Sequence, residues 1–174
     1  MKEEIKAEII SWVKTIFFAI VFALVITNFV IVNAQIPTGS MESTIIPNDR
    51  IVAFRLSYMF SSPNRFDIVV FENPEREEVL YIKRIIGLPG ETLQIINGEV
   101  YINGELLAED EDFRKEPFHG SWGPFEIPEG EFFVLGDNRN NSADSRTWRI
   151  TFVPEGNIIG RAIFKYFRGF ELLT

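Results

Sequence analysis

Hydrophobic residues form one long run near the N-terminus of the chain. From Ile16 to Val32, 17 consecutive residues are apolar except for Thr27 and Asn28. A helix needs about 20 residues, within a range of about 17–25, to cross a hydrocarbon core of about 30 Å. A core helix of a globular domain carries a polar stripe, and this run carries none through its first eleven residues. The pattern therefore predicts a transmembrane anchor helix.

An uncleaved anchor is favoured over a cleaved signal peptide. The sequence Val32-Asn33-Ala34 fits the small-residue pattern before a cleavage site, but the apolar run exceeds the usual length of about 7–15 residues. Three lysines precede the run and the first cation after it is Arg50, which favours a cytoplasmic N-terminus. The predicted parts are a cytoplasmic segment (1–14), an anchor helix (15–33) and an extracytoplasmic domain (34–174).

Beyond Asn33, short runs rich in β-branched and aromatic residues alternate with turn signals. Asn97-Gly98 and Asn103-Gly104 each follow an apolar pair, which indicates tight hairpins and a three-strand meander. The predicted fold class is therefore mostly β, an all-β domain of short antiparallel strands and hairpins behind one N-terminal transmembrane helix. The predicted strands are Ile51–Arg55, Asp67–Phe71, Val79–Gly87, Thr92–Ile96, Glu99–Ile102, Phe132–Leu135 and Asn157–Phe167.

Composition restricts the chemistry that this chain can perform. Its 174 residues include 25 Asp and Glu against 17 Lys and Arg, a formal net charge of −8, and an acidic body argues against a nucleic-acid partner. The absence of cysteine excludes disulfides, thiol nucleophiles and Cys-ligated zinc. His119 is the single histidine, so mechanisms that need two histidines are excluded as well.

A candidate nucleophile follows the anchor at once. Ser40 comes directly after Gly39, which permits a tight backbone approach, although most such serines only satisfy hydrogen bonds in turns. A serine nucleophile needs a base, and the candidates are His119 and a lysine whose pKa is depressed by burial. A nucleophile elbow of the Gly-x-Ser-x-Gly type is absent from the sequence.

The lysine candidate lies in the predicted strand Val79–Gly87. With a period of two, Lys83 shares a face with Tyr81 and Ile85, while Arg84 lies on the opposite face. One of the two cations must therefore lie among apolar neighbours, and only a lysine could lose its proton there. The alternative is an edge strand whose lysine extends into water.

Three polar or turn-rich segments remain. The segment 136–146 fails as a calcium loop because Arg139 falls at a ligand position, so it is either an exposed turn or a closed hydrogen-bond network around a site. The acidic cluster Glu109–Asp112 is predicted to be a solvated loop. The stretch 117–130, rich in proline and glycine, is predicted to be irregular.

Three segments together resemble the bacterial type I signal peptidases, the membrane-bound serine proteases that remove signal peptides from exported proteins. They are Pro37-Thr38-Gly39-Ser40-Met41, Tyr81-Ile82-Lys83-Arg84-Ile85-Ile86-Gly87-Leu88-Pro89-Gly90 and the run from Gly136 to Arg146. Their order behind one membrane helix is more specific than any of them alone. The strands around Arg50–Phe54 and Asp67–Phe71 are also similar to those of the family.

The resemblance implies a Ser/Lys dyad that works through an acyl-enzyme. Ser40 is then the nucleophile and Lys83 the general base, and Ser142 is the hydroxyl that orients the lysine amine. Asp144 and Arg146 resemble the ion pair that stiffens the site. No metal and no cofactor is expected.

The resemblance also implies the groups that bind the substrate. Thr38 and the Ser40 backbone N–H form the oxyanion hole, and Asp137 has a supporting role. The expected partners are preproteins with small residues at positions −1 and −3, together with the lipid bilayer of the bacterial cell. The residues expected to line the pockets are Ile36, Tyr81 and Ile82.

Two other functions stay open at the level of the sequence. The chain could be a Ser/Lys protease that cleaves itself, or a membrane-tethered β-domain that binds a partner and does not need Lys83. A further hypothesis concerns the segment 56–60, whose apolar residues Leu56, Tyr58, Met59 and Phe60 would form a lip that enters the bilayer.

Overall fold

A computed structural model describes residues 2–173 of the chain. Helix α1 covers Lys2–Val25, and a π-helical turn, Ile26–Val30, continues it. Within the 26 residues Ile5–Val30, an 18-residue window has a mean hydropathy of 2.5 and none of its residues is buried, so this segment can cross a membrane by its length and composition. The predicted anchor ended at residue 33, but residues 31–33 form a strand because they pair with a neighbouring strand instead of continuing the helix.

Within the described residues, the chain after the helical segment folds into twelve strands, and seven of them match the seven predicted runs to within three residues at each end. The strands are β1 (Ile31–Gln35), β2 (Arg50–Phe54), β3 (Ile68–Asn73), β4 (Arg76–Gly87), β5 (Thr92–Ile96), β6 (Glu99–Ile102), β7 (Glu105–Leu106), β8 (Trp122–Glu126), β9 (Glu131–Leu135), β10 (Val153–Pro154), β11 (Ile158–Tyr166) and β12 (Glu171–Leu172). Short 3-10 helices cover Arg55–Tyr58, Ala108–Phe113, Arg139–Asn141 and Glu155–Asn157.

Within residues 2–173 the strands form two antiparallel sheets. The larger sheet has eight strands in the order β1-β2-β11-β3-β4-β9-β10, with β12 added to β11. Strand β4 lies inside this sheet, where Val69 of β3 pairs with Lys83 and Leu135 of β9 pairs with Arg84. Lys83 therefore belongs to an interior strand and not to the edge strand that the alternative interpretation required.

The smaller sheet has the order β7-β6-β5-β8 and contains the predicted meander. Asn97 and Gly98 both have positive φ, 51° and 88°, as a type I′ hairpin requires, and Asn103 and Gly104 repeat this geometry. Strand β8 lies in the stretch 117–130 that was predicted to be irregular. This prediction was wrong because β8 pairs with β5, and local turn residues do not reveal a long-range partner.

Apolar side chains on both faces of the larger sheet form the core. One cluster packs β1, β2 and the segment after β1, a second joins the two sheets, and a third covers the opposite face of β3 and β4. Because both faces of the C-terminal half of β4 are covered, residues 82–87 are buried on either side. Representative members of the three clusters are Ile51, Val70 and Ile82; Ile86, Leu93 and Phe133; and Phe71, Ile85 and Phe132.

The acidic cluster is not a fully solvated loop. Residues 108–113 form a 3-10 helix, and Asp110 within it is 1% exposed. Both of its carboxylate oxygens accept hydrogen bonds of 2.6 Å from the buried guanidinium of Arg139. Arg114 lies 3.6 Å from the same carboxylate. The prediction was wrong for Asp110 because two arginines neutralise its charge. Arg139 is distant in the sequence, and Arg114 is one helical turn away.

We expect Asp110→Asn to lower the free energy of unfolding by about 3–5 kcal/mol, because it leaves the buried Arg139 cation without its counter-charge. Chemical denaturation in detergent micelles measures this change. The matched control is Asp112→Asn in the same helix, whose exposed side chain predicts a change within about 0.5 kcal/mol. Equal losses in the two variants would contradict the role of the buried pair.

Candidate active site

A cleft of about 530 Å³ opens between the end of β1 and β4. Three strands separate β1 from β4 in the sheet order, so the sheet curves strongly enough for both to line one cleft. The walls are mostly apolar, as in most ligand-binding clefts. The lining residues are Ala34, Gln35, Ile36, Pro37, Thr38, Gly39, Ser40, Ile51, Val70, Val79, Leu80, Tyr81, Ile82, Lys83, Asn141 and Ala143.

Ser40 and Lys83 meet in this cleft. Lys83 Nζ lies 2.7 Å from Ser40 Oγ, and the amine also donates a hydrogen bond of 3.0 Å to the carbonyl oxygen of Ile82. The segment that carries Ser40 is held by its neighbours Met41 and Ile45, which are fully buried in the first core cluster. The contact therefore joins two rigid parts of the fold.

Lys83 is only 4% exposed, and its hydrogen-bond partners are neutral oxygens. Burial disfavours the charged ammonium and lowers the pKa of Lys83 to about 8, although the charges of Asp144 and Asp137 act in the opposite direction. A lysine with this pKa is partly neutral near physiological pH. It can therefore accept a proton, as a general base must.

Arg84 is buried as well, on the opposite face of β4. The sequence pattern required one of the two cations to lie among apolar neighbours, and the structure buries both, because β4 is covered on both faces here. Arg84 stays charged and forms two hydrogen bonds, of 3.0 and 2.9 Å, with the buried carboxylate of Asp137. Thr44 Oγ1 donates to the same carboxylate at 2.6 Å. Asp137 thus ties β4 to the segment that follows Ser40.

Thr38 lies close to Ser40, and its Oγ1 is 3.4 Å from Ser40 Oγ. A threonine hydroxyl at this position can donate to an oxyanion beside Ser40. His119, the other candidate base, is exposed and is not among the cleft-lining residues. The structure brings Ser40 together with Lys83 and not with His119.

Ser142 does not form the predicted hydrogen bond with Lys83 in this structure. Its Oγ is buried and has no hydrogen-bond partner among the described residues, while the lysine amine faces Ser40 and Ile82. Ser142 is nevertheless close to Ser40, since a Cβ added to Gly136 would overlap both Ser142 Oγ and Ser40 O. Glycine at position 136 is required by this close packing.

The segment 136–146 is a closed hydrogen-bond network. Arg146 forms two hydrogen bonds, of 2.8 and 2.9 Å, with the carboxylate of Asp144, as the predicted ion pair requires. Arg146 also donates to Arg139 O, and Asp144 accepts from the Gly136 backbone N–H. Of the two alternatives for this segment, the network is correct and the exposed turn is wrong.

The predicted pocket residues Ile36, Tyr81 and Ile82 all line the cleft. Ile51 and Val70 also line it and were missed, because no local pattern distinguishes a cleft-lining core residue from any other. Asn138 was missed too, although it is buried and donates to the backbone around Ser40. The one available signal was its position beside Asp137 in a polar segment.

Comparison with known proteins identifies the family. A family model described as "Signal peptidase, peptidase S26" matches residues 9–167. Signal peptidase I of Leptolyngbya laminosa is 45% identical over 162 residues, which cover 88% of this chain and 77% of that protein. Signal peptidase I of Bacillus licheniformis is 34% identical over 170 residues, or 93% and 90% of the two chains. The chain belongs to the signal peptidase I family.

A solved structure is similar as well. The crystal structure of a signal peptidase I from Enterococcus faecalis V583 shares 35% identity with this chain at a TM-score of 0.48, and covers 58% of this chain and 97% of the other. Family membership confirms the resemblance that the three motifs carried. The chain is a serine endopeptidase that removes signal peptides from preproteins, and its family is membrane-associated.

We expect Lys83→Met to stabilise this signal peptidase at pH 7. The pKa of Lys83 is about 8 in the folded state and 10.5 as its ordinary value, so burial of the ammonium opposes folding by up to about 3 kcal/mol below pH 8. The unfolded chain binds more protons between these values, so the stability of the wild type rises from pH 8 towards 10.5. The advantage of the variant should shrink over the same range.

Thermal unfolding in detergent between pH 7 and 10.5 measures this difference. The matched control is Lys165→Met, since Lys165 donates to Thr44 O and pairs with Glu171 and should lose stability instead. A stabilisation by Lys83→Met that does not change with pH would show that the ammonium is not its cause.

Proposed function

We propose that this chain cleaves signal peptides with Ser40 as nucleophile and Lys83 as general base, through an acyl-enzyme, after small residues at −1 and −3. The observation that carries the proposal is the distance of 2.7 Å between Ser40 Oγ and Lys83 Nζ, at a lysine that burial shifts to a pKa of about 8. Both the geometry and the protonation state suit proton transfer.

In the first step, neutral Lys83 accepts the proton of the Ser40 hydroxyl while Oγ attacks the carbonyl carbon after the −1 residue. Negative charge develops on the carbonyl oxygen, and the Ser40 N–H and the Thr38 hydroxyl donate hydrogen bonds to it. The Lys83 ammonium then returns a proton to the leaving amine, and the peptide bond breaks. The mature protein leaves, and the signal peptide remains as an ester on Ser40.

In the second step, neutral Lys83 accepts a proton from water as the water oxygen attacks the ester. The tetrahedral species collapses, Ser40 Oγ takes the proton back from Lys83, and the signal peptide leaves with a free carboxylate. The same amine thus serves both half-reactions.

The proposed substrate lies extended in the cleft, between the end of β1 and β4. Ile36, Tyr81 and Ile82 line the wall beside the dyad, together with Val70 from β3. Branched and aromatic side chains fill space that a large substrate residue would need, which supports selection of small residues at −1 and −3.

The proposed orientation has a cytoplasmic N-terminus, with the catalytic domain on the outer face of the bacterial plasma membrane. The lysines before the apolar span support this orientation. Strand β1 follows the helical segment without a linker, so the site lies near the bilayer surface. Met59 and Phe60 are 58% and 94% exposed beside a turn close to the end of the span, whereas Leu56 and Tyr58 are partly buried. The proposed lip is therefore Met59 and Phe60.

We expect Ser40→Ala and Lys83→Met to abolish cleavage of a preprotein with an Ala-x-Ala site by the detergent-solubilised chain. For the wild type, the logarithm of kcat/KM should rise with unit slope below pH 8 and level off above it, because only the neutral amine accepts the proton. Mass spectrometry of the products should locate the cut after the −1 alanine.

Matched controls are Ser61→Ala, an exposed serine outside the cleft, and Lys165→Met. Both should retain activity per folded molecule. Cleavage by folded Lys83→Met at the wild-type rate, or a rate that falls as pH rises through 8, would refute the dyad.

We expect Phe60 to enter the bilayer when the chain is reconstituted in vesicles. Since the chain has no cysteine, Phe60→Cys allows a single environment-sensitive fluorophore to be attached. Its emission should shift to the blue and be quenched by spin-labelled lipids. The same label at Leu106→Cys, an exposed position on the smaller sheet, should report water. Water-like emission at both positions would exclude the lip.

A further inference from the structure

Asn138 lies buried beside the nucleophile and is not part of the proposed dyad. Its side chain is 3% exposed, and its Nδ2 donates a hydrogen bond of 3.0 Å to the carbonyl oxygen of Gly39. Its backbone N–H donates to the carbonyl oxygen of Ser40 at 3.1 Å. One residue thus holds the peptide groups on both sides of the nucleophile.

The first of these hydrogen bonds controls the direction of the Ser40 N–H. The peptide unit that joins Gly39 to Ser40 is planar and trans, so its C=O and N–H point in opposite directions. A donor that fixes the Gly39 oxygen therefore also fixes where the Ser40 N–H points. That N–H is the proposed backbone donor to the oxyanion, which needs accurate alignment to be effective.

The amide orientation of Asn138 follows from its partners. Gly39 O is an acceptor, and Glu42 Oε2, at 3.4 Å from the same Nδ2, is also an acceptor. Only the NH2 group of the side chain can donate to both of these oxygens, so the amide nitrogen and not the amide oxygen faces Gly39 O. Lys115 pairs with the same Glu42 carboxylate at 2.5 Å and holds it in place.

Asn138 is itself held on both sides. The adjacent Asp137 is fixed by the buried Arg84 guanidinium, and the Asn138 carbonyl accepts from the Asn141 N–H at 3.0 Å. Arg84 follows Lys83 on β4. The chain of contacts from β4 through Asp137 and Asn138 to Gly39 therefore positions the nucleophile relative to the strand that carries the base.

We propose that Asn138 is a positioning residue for oxyanion stabilisation, whose side-chain amide aims the Ser40 N–H through the Gly39 carbonyl. This inference rests on the proposed Ser40/Lys83 function. Asn138 is not among the cleft-lining residues, and the described hydrogen bonds of the Lys83 amine go to Ser40 and Ile82, so loss of the Asn138 amide should weaken the transition state while leaving substrate binding and the pKa of the base unchanged.

The test compares Asn138→Leu and Asn138→Asp with the wild-type full-length chain in detergent. Both variants keep the approximate size of the side chain and remove the donor to Gly39 O. We expect kcat to fall about 10²-fold, the range for loss of one oxyanion donor, with KM changed less than about twofold. For Asn138→Leu, the midpoint of the pH–rate profile should stay where the wild type has it, whereas the carboxylate added by Asn138→Asp should raise the midpoint, as the charges of Asp137 and Asp144 raise the pKa of Lys83.

The affinities for a peptide aldehyde and for the matching peptide amide distinguish a loss of oxyanion stabilisation from a loss of substrate binding. Ser40 Oγ adds to the aldehyde carbon, its proton passes to Lys83, and the aldehyde oxygen becomes an oxyanion, whereas the amide binds without reaction. Affinity for the aldehyde should fall by the same factor as kcat, and affinity for the amide should not change. If Asn138 had only a structural role, its loss would lower the affinities for the aldehyde and the amide by similar factors.

Asn140→Leu is the matched control in the same loop. Asn140 is exposed, donates to Glu116 and Pro117, and lies outside the cleft lining, so kcat should be retained. Unchanged kcat in folded Asn138 variants overturns the inference. It is also overturned if the loss of activity lies in KM, or if the pH midpoint shifts in Asn138→Leu, which adds no charge. Should Asn138→Leu fail to fold, Asn138→Asp decides the matter, because it leaves the shape of the buried side chain intact.

The outcomes also separate this inference from the proposed function. If Ser40→Ala or Lys83→Met still cleaves, the dyad is wrong. In that case the affinity for the aldehyde should not differ between the wild type and the Asn138 variants. If those variants are inactive while Asn138→Leu and Asn138→Asp keep kcat, the dyad stands and the positioning role of Asn138 is wrong.

Discussion

A lysine can act as a base near neutral pH when burial lowers its pKa, and the fold buries Lys83 in this way. An ammonium group loses most of its solvation when it is buried, and no rearrangement of a surface side chain has the same effect. Lys83 lies on an interior strand of the larger sheet, opposite Val69, with Ser40 Oγ and a backbone carbonyl as partners. Burial therefore lowers the pKa of Lys83 and at the same time opposes folding.

Buried ion pairs around the site hold the neighbouring segments in place. Arg84 with Asp137 ties β4 to the segment 136–146, and Arg146 with Asp144 closes that segment on itself. Arg139 with Asp110 joins it to the 3-10 helix between β7 and β8 of the smaller sheet. Each pair is nearly inaccessible to solvent and has bidentate geometry, which fixes orientation more firmly than a single contact does. Arginine is suited to these positions because a buried guanidinium keeps its charge, whereas burial lowers the pKa of Lys83 to about 8.

The anchor and the site are connected by a short and regular path. The helical segment ends at Val30, β1 begins at the next residue, and β1 leads directly to the cleft-lining residues from Ile36 to Ser40. Strand β1 pairs in register with β2 along its whole length. The proposed distance between bilayer and nucleophile is therefore set by a paired strand and not by a flexible linker. Such a path suits substrates whose cleavage site follows a membrane-inserted segment closely.

The sequence by itself determined the features that depend on neighbours along the chain. The apolar run predicted the long N-terminal helix, Asn-Gly pairs predicted two hairpins, and three motifs in order, which contain Ser40 and Lys83, resembled one family. Only the tertiary structure decided what depends on distant partners: that both Lys83 and Arg84 are buried, that Asp110 is paired with Arg139, and that Ser142 does not contact the lysine amine. Periodicity reports which side chains share a face, but burial and ion pairing depend on what covers each face, and segments far apart in the sequence provide that cover.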